Sequence, residues 1–323
     1  MTGSGKLEVF RTLEEARGRF APSALSIGNF DGVHRGHQEL FQRLVARCRA
    51  EGSWKPSVLT FHPHPAKVIK PERAPRLLTD ISQRLVKMRD CGIEQVLALP
   101  FTPEFSRLTP EEFARQVLVE AAGARLVVVG ENFRFGAKQA GDVRLLGELG
   151  AGLGFATDIA RGVVYRGTLV SSTEVRSRVE RGDVRMANRF LGRPYALEGA
   201  VVSGHGVGSK QTVPTLNLAT DAEVLPARGV YVTRVSDLAS DRAWPAVTNV
   251  GFRPTFQGDR LTIESFLLEG YSDPAPGRIR VEFLWRLRDE RKFDSPEALK
   301  SQILRDVMRA KRYFARLRRA APL

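Results

Sequence analysis

Cysteine is scarce: Cys48 and Cys91 are the only two in 323 residues, and neither has a CxxC partner. That excludes a disulfide scaffold or a cysteine-rich zinc ribbon and fits reduced thiols in a cytoplasmic protein. Long apolar runs are missing as well. No stretch approaches the roughly 18 apolar residues of a membrane span, and the strongest run, Leu126–Val129, has only strand length. The opening MTGSGKLEVF shows no basic segment followed by an apolar core, so neither a secretory signal nor a membrane partner is expected. Acid is short: 36 Asp+Glu stand against 50 Lys+Arg, a net charge of +14. Such an excess concentrates anions near the surface. The arginines are scattered without interleaved aromatics, so nucleotides and phosphorylated metabolites are the expected anions, and nucleic acid is not. The sharpest basic cluster, MRAKRYFARLRR near the C-terminus, has a helical pattern and reads as a solvated face. Nothing calls for a stable assembly; a monomer or weak homo-oligomer is expected.

What is present is an ordinary globular composition, 42% hydrophobic and 27% charged, over a length sufficient for two domains. From Ala24 to Ile159, apolar runs (ALSIG, SVLTF, QVLALP, RLVVVG, GFATDI) alternate with amphipathic stretches at Gly36–Glu51, Thr79–Cys91, Thr109–Ala121 and Gly141–Leu149. Near-continuous apolar strands separated by helices imply a parallel sheet covered on both faces. Thr109-Pro110-Glu111-Glu112 is a helix start, with a cap, proline at the first position and acids at the positive dipole end. After about Met186 the rhythm changes to six strand candidates with no helix between them: ALEGAVVSG, TLNLA, GVYVTRV, PAVTNVG, TIESFLLE and RIRVEFLWRLR. These predict a small closed barrel. A terminal helix follows, capped by Ser295, with Leu299, Ile303, Val307, Ala310 and Phe314 as the stripe expected to pack on the barrel. The change of rhythm lies near Arg185–Arg193, giving domains 1–185 and 186–323.

With only five histidines, the chain places two in one turn, SIGNFDGVHRGHQEL, Ser26 to Leu40. Gly28, Gly32 and Gly36 allow a backbone to approach a ligand closely, and a helix start offers free N–H groups and positive potential to phosphate. His34 and His37, three apart, share one face of the first helical turn. Imidazoles there donate to phosphate oxygens and stabilise charge on a leaving group. A glycine-rich turn with surface histidines is the plainer reading. A zinc site is the sharper rival, because FHPHP brings His62 and His64 after the next strand, although no Cys or acidic ligand stands at zinc spacing.

Gly28-Asn29-Phe30-Asp31-Gly32-Val33-His34-Arg35-Gly36-His37 resembles the HxGH signature of the nucleotidyltransferases, in the form found in bacterial bifunctional riboflavin kinase/FMN adenylyltransferases. TFHPHP, GENFRFGAKQAGD and VSSTEVR follow in that family's order. LGRPY, PTLN, GVY, NVGFRPTF and VEFLWRLRDERKFDS resemble its riboflavin kinase module, and the likeness spans about residues 7–315. The resemblance implies a Rossmann-like nucleotidyltransferase domain followed by a six-stranded riboflavin-kinase-type barrel with a long terminal helix. In the first domain it implies adenylyl transfer from ATP to FMN, releasing pyrophosphate and FAD. His34 and His37 hold the triphosphate, and Gly28, Asn29, Phe30 and Asp31 line the nucleotide pocket. Ser171, Ser172, Thr173 and Arg176 make a second phosphate cradle, where the residues alone read as a simple Ser/Thr helix cap. Asn132 contacts flavin or adenine, and His62, Pro63 and His64 belong to the flavin side. Phe133 and Phe135 pack on a ring or on the core, and Asp142 has a structural place.

In the second domain the resemblance implies phosphorylation of riboflavin by ATP with Mg²⁺. Thr215 and Asn217 are its expected metal ligands, hard oxygens on one face of a strand, and Glu264 takes the position of the general base. The family's arginine-rich kinase loop is replaced by GHGVGSKQTVPTLN, in which Gly204, Gly206 and Gly208 keep the spacing for phosphate approach and Lys210 is expected to supply charge. YSDPAPGRIRVEF also departs from the usual form of its loop. An adenylyltransferase alone, with the divergent barrel as a flavin-binding or structural module, is the alternative reading.

Overall fold

Strand–helix alternation in the first half produces a six-stranded sheet in the computed structural model, which describes residues 6–20, 22–202, 215–255, 258–269 and 275–320. The elements in chain order are β1 (Glu8–Phe10), α1 (Leu13–Ala16), β2 (Ser23–Ile27), α2 (Arg35–Glu51), β3 (Lys55–Phe61), α3 (Pro65–Ile69), α4 (Ile81–Asp90) and β4 (Gln95–Leu99). Next come α5 (Pro110–Glu112), which runs on as a π-helix over Phe113–Ala121, then β5 (Ala124–Gly130), α6 (Val143–Leu153), β6 (Ala156–Ala160) and a small hairpin of β7 (Val164–Tyr165) and β8 (Thr168–Leu169). The sheet order is β1-β4-β3-β2-β5-β6, and every pairing in it is parallel.

Alternation along each strand feeds two cores. Leu25, Leu59, Leu97 and Val127 face Phe113, Val117, Leu118 and Leu146 on one side. Ala24, Val58, Val96, Leu126 and Val128 face Phe41, Leu44, Cys48 and Met88 of α2 and α4 on the other. The cap expected at Thr109 is present with Pro110 at the first position, and the structure makes it a capping box with Glu112; Asp80 and Gln83 form a second one at α4. The helix expected over Thr109–Ala121 widens after Glu112, as the Ala122 N–H donating to the Val117 carbonyl at 3.0 Å shows. Apolar spacing does not distinguish that geometry from an α-helix. The chain runs β2→β3→β4 to one side, then returns past β2 to β5 and β6. The carboxyl ends of β2 and β5 therefore flank the switch point, where open α/β sheets bind ligands.

The chain divides into two compact units, Met1–Ser172 and Thr173–Leu323. The second contains α7 (Ser172–Glu180) from its second residue, α8 (Val184–Leu191), β9 (Tyr195–Val202), β10 (Thr215–Ala219), β11 (Gly229–Asp237), β12 (Ala243–Thr255), β13 (Gly258–Leu267), β14 (Arg278–Arg288) and α9 (Pro296–Ala320). The six expected strands close a barrel in the order β10-β13-β12-β11-β14-β9, with antiparallel pairing throughout. Its interior holds Leu197, Leu216, Val235, Ile263 and Phe283. A buried hydroxyl chain also crosses three strands there, Thr233 to Thr248 at 2.6 Å and Thr248 to Ser265 at 2.8 Å.

The terminal helix departs from its expected stripe. Its second half packs Ala310, Tyr313 and Phe314 on Val230, Val232, Val247 and Leu287, but Leu299 and Ile303 are 42% and 40% exposed. The buried positions of the first half are polar. Asp306 accepts from Arg288 Nε and Gln302 Nε2, both at 2.9 Å, and Gln302 Oε1 accepts from Arg291. A charged network, invisible to apolar periodicity, rotates that half of the helix.

Candidate active sites

The turn after β2 is backbone under strain held by burial. Phe30, Gly32 and Val33 have φ of 50°, 77° and 41°. For a phenylalanine and a β-branched valine that conformation costs about 1–3 kcal/mol each. Both side chains are fully packed beneath the turn, and such burial returns about 1.5–3 kcal/mol each, enough to offset the strain. His34 is the N-cap residue of α2, yet its side chain makes no capping bond and the first turn carries no acid, which leaves the helix's positive end available to an anion. The His34 and His37 rings stack with centroids 3.6 Å apart, and Phe30 meets His37 edge-on at 5.1 Å. Gly36 makes room for this pair: a Cβ there would lie 3.1 Å from the His34 ring.

Asp31 faces inward. Its carboxylate accepts from the Leu78 and Thr79 N–H groups at 3.0–3.1 Å, and the Thr79 hydroxyl in turn accepts from the Gly32 N–H at 3.0 Å. The Asp31 carbonyl accepts from the Ser172 hydroxyl at 2.9 Å. Asp31 thus clasps the turn ahead of α4. The Asn29 carbonyl accepts from Arg84 Nη1 at 2.7 Å.

Neighbouring strand ends complete this edge. His62 follows β3 and is exposed, its N–H bonded to the Leu99 carbonyl. Partial loss of hydration, then the charges of Arg84, Arg11 and Lys67, hold its imidazole below the usual range. His64 caps α3, its Nδ1 accepting from the Ala66 N–H at 3.1 Å. Asn132 is exposed just past the end of β5. Phe135 belongs to the core, and Phe133 stacks on it at 5.6 Å. Asp142 caps α6 through the Leu145 N–H, which, with Arg134, holds its carboxyl below its ordinary value. Among the described residues, no group of three or more His, Cys, Asp or Glu side chains converges as a metal site would require.

In the barrel, strand register does the assembling. Asn217 on β10 pairs with Glu264 on β13, which pairs with Asn249 on β12, so three polar side chains stand in one row. Thr215 lies on the same face two residues along, while Leu216 and Leu218 point into the core. The Glu290 carboxylate leans on the bare Cα of Gly251, beside the Asn249 amide.

Two family models match in tandem: FAD synthetase over residues 18–174 and riboflavin kinase over residues 191–314. The bifunctional riboflavin kinase/FMN adenylyltransferase of Escherichia coli K12 is 36% identical over 290 residues, covering 90% of this chain and 92% of its own. That of Pseudomonas fluorescens is 36% identical over 307 residues, covering 94% and 97%. The chain belongs to the bifunctional riboflavin kinase/FMN adenylyltransferase family. A solved Streptococcus pneumoniae chain described as a macrolide-efflux protein superposes with a TM-score of 0.85 at 28% identity, covering 94% of this chain and 98% of its own. No described helix here is long and apolar enough to cross a membrane.

Within the FAD synthetase region, the structure gathers Gly28–Asp31, His34, His37, Ser171 and Ser172 about one turn and places His62, Pro63, His64 and Asn132 on flanking strand ends. Thr173 and Arg176 lie on the first two turns of α7, in the second unit. Within the riboflavin kinase region, Thr215, Asn217 and Glu264 share one face, whereas Gly204, Gly206, Gly208 and Lys210 lie outside the described residues. Sequence reasoning missed Arg84, an arginine inside an ordinary amphipathic pattern. It also missed Asn249, which strand pairing sets beside Glu264, and Glu290, which folds back from beyond β14 against Gly251.

Proposed function

We infer that this chain makes FAD from riboflavin in two ATP-dependent steps, with the barrel forming FMN and the α/β unit adenylylating it. The stacked His34/His37 pair at the uncapped start of α2 carries the reading of the first unit. An FMN phosphate oxygen attacks the α-phosphorus of ATP, the bond to the bridging oxygen breaks, and pyrophosphate leaves. This chemistry needs alignment and charge stabilisation more than covalent help. His34, His37 and the α2 amides take the polyphosphate, and the Gly28–Asp31 backbone lines the nucleotide. His62, Pro63, His64 and Asn132 serve the flavin side, and Ser171 and Ser172 present hydroxyls beside the turn.

In the barrel, Glu264 accepts the proton of the riboflavin 5′-hydroxyl as that oxygen attacks the γ-phosphorus. The Thr215 hydroxyl and Asn217 amide oxygen are hard donors on one face, a fit to Mg²⁺, which keeps most of its other positions for water and phosphate. Bound there, Mg²⁺ would neutralise phosphate charge. The chain would work in the cytoplasm, where ATP is found and where Cys48 and Cys91 remain free thiols.

Incubation with riboflavin, ATP and Mg²⁺, with products resolved by chromatography, is expected to give FMN and then FAD. Absence of both overturns the reading. FAD from supplied FMN without FMN from riboflavin reduces it to an adenylyltransferase.

A further inference from the structure

Arg84, in the first turn of α4, is 0% exposed. A guanidinium in that position is expensive unless its donors are matched. Nη1 donates to the Asn29 carbonyl at 2.7 Å, but Nε and Nη2 have no hydrogen-bond partner among the described residues. Asp31 and Asp80 are the nearby carboxylates. The Asp31 oxygens are engaged by Leu78 and Thr79, and one oxygen of Asp80 by the Gln83 N–H. An apolar side chain of similar length would fill this space without the desolvation cost. What the arginine adds is a fixed positive charge and a rigid donor on the Asn29 carbonyl of this turn, and its charge helps to hold the His62 imidazole below the usual range.

We propose that Arg84 is a positioning residue for adenylyl transfer. It pins the Asn29 carbonyl, next to a Gly28 N–H already bonded to the Leu59 carbonyl at 3.1 Å, so that the Asn29–Asp31 backbone faces the nucleotide, and its buried charge favours the anionic reactants bound above. The proposal rests on reading the Gly28–His37 turn as the nucleotide site. Nothing in it requires Arg84 to touch substrate. Because the turn already carries left-handed backbone at Phe30 and Val33, loss of the pin should let its amides relax away from the geometry that the transition state needs. That effect falls on kcat more than on ATP binding.

The test uses the full chain and compares wild type, R84K, R84Q and R84M in FAD formation from FMN and ATP, at a temperature well below each variant's thermal midpoint. Riboflavin phosphorylation by the same preparation serves as the internal reference. R84M is expected to lose about 10- to 100-fold in kcat, the range for a charge-assisted hydrogen bond removed from a buried acceptor, with KM for ATP within about threefold. R84K, keeping the charge and one donor, should recover at least about a tenth of the wild-type kcat. R84Q, neutral but able to donate, should fall below R84K and keeps the comparison open if R84M does not fold. A merely structural arginine would lower the thermal midpoint and leave kcat of the folded enzyme intact; that result, or R84K falling as far as R84Q, overturns the proposal. If wild type itself forms no FAD from FMN, the functional reading fails and not the assignment of Arg84 alone.

Discussion

The two units build their sites in opposite ways. In the α/β unit the turn proposed to hold the nucleotide is one contiguous stretch, Gly28 to His37, folded tightly enough that Phe30 and Val33 take left-handed backbone. In the barrel, Asn217, Glu264 and Asn249 come from three strands, aligned by register, and Gly229 alone among the described barrel strands has positive φ. A contiguous turn concentrates its geometry in short-range sterics and should be sensitive to a single methyl group. A register-built row spreads its geometry over many ladder bonds and should lose function side chain by side chain.

The largest expected effects cross between the units. His37→Ala should lower FAD formation from FMN by about 10²- to 10³-fold, the cost of deleting one preorganised donor at a transition state. Riboflavin phosphorylation should be untouched. Asn217→Ala should do the reverse. Separate initial rates for each half-reaction in one preparation check both, and equal loss of the two activities in either variant would erase the distinction between the sites.

Gly36→Ala sharpens the contrast, because stability and activity should move in different directions. Gly36 occupies the second position of α2 and its φ is not left-handed, so alanine should help the helix by up to about 1 kcal/mol. Its Cβ, however, would crowd the His34 ring at 3.1 Å. A displaced imidazole should lower FAD formation by about tenfold while the thermal midpoint holds or rises. A fall in both would mean that the glycine serves folding instead. In the barrel, Asn249→Ala removes one neighbour of Glu264 without steric conflict. Riboflavin phosphorylation should drop by a few-fold, on the order of one neutral hydrogen bond, with FMN adenylylation unchanged.

This contrast also explains what the sequence made legible. The strands of both units could be read because their apolar spacing reports burial directly, and the glycine-rich turn at the head of α2 could be read as a unit because its residues adjoin in the chain. The inward clasp of Asp31 on Leu78 and Thr79 could not, since an aspartate in a glycine-rich turn carries the same letter whether it faces ligand or core. The same holds for His64, which caps α3, and for Leu299 and Ile303, displaced from the barrel by the Arg288–Asp306–Gln302 network. Apolar periodicity describes faces; it is silent where a buried polar network decides which face turns inward. Arg84 is the extreme case, a charge at a fully buried helical position that no hydropathy pattern would place there.

The smallest expected effect concerns His62, at the edge of the contiguous site. Its folded-state pKa lies below the ordinary 6.5, first through desolvation and then through Arg84, Arg11 and Lys67, with Asp80 opposing. The folded chain therefore binds fewer protons here than the unfolded chain as pH drops below about 6.5, so this group costs no stability at pH 7.5 and progressively more toward pH 5.5. His62→Gln removes that cost. The thermal midpoints of wild type and variant, measured without ligands, should differ by a constant offset above pH 7. Below it the difference should shift in the variant's favour, while the other histidines cancel from the comparison. A shift in the wild type's favour on acidification would mean that His62 gains an acidic partner on folding. The positive field assigned to the floor of this site by Arg84 would then not extend to its edge.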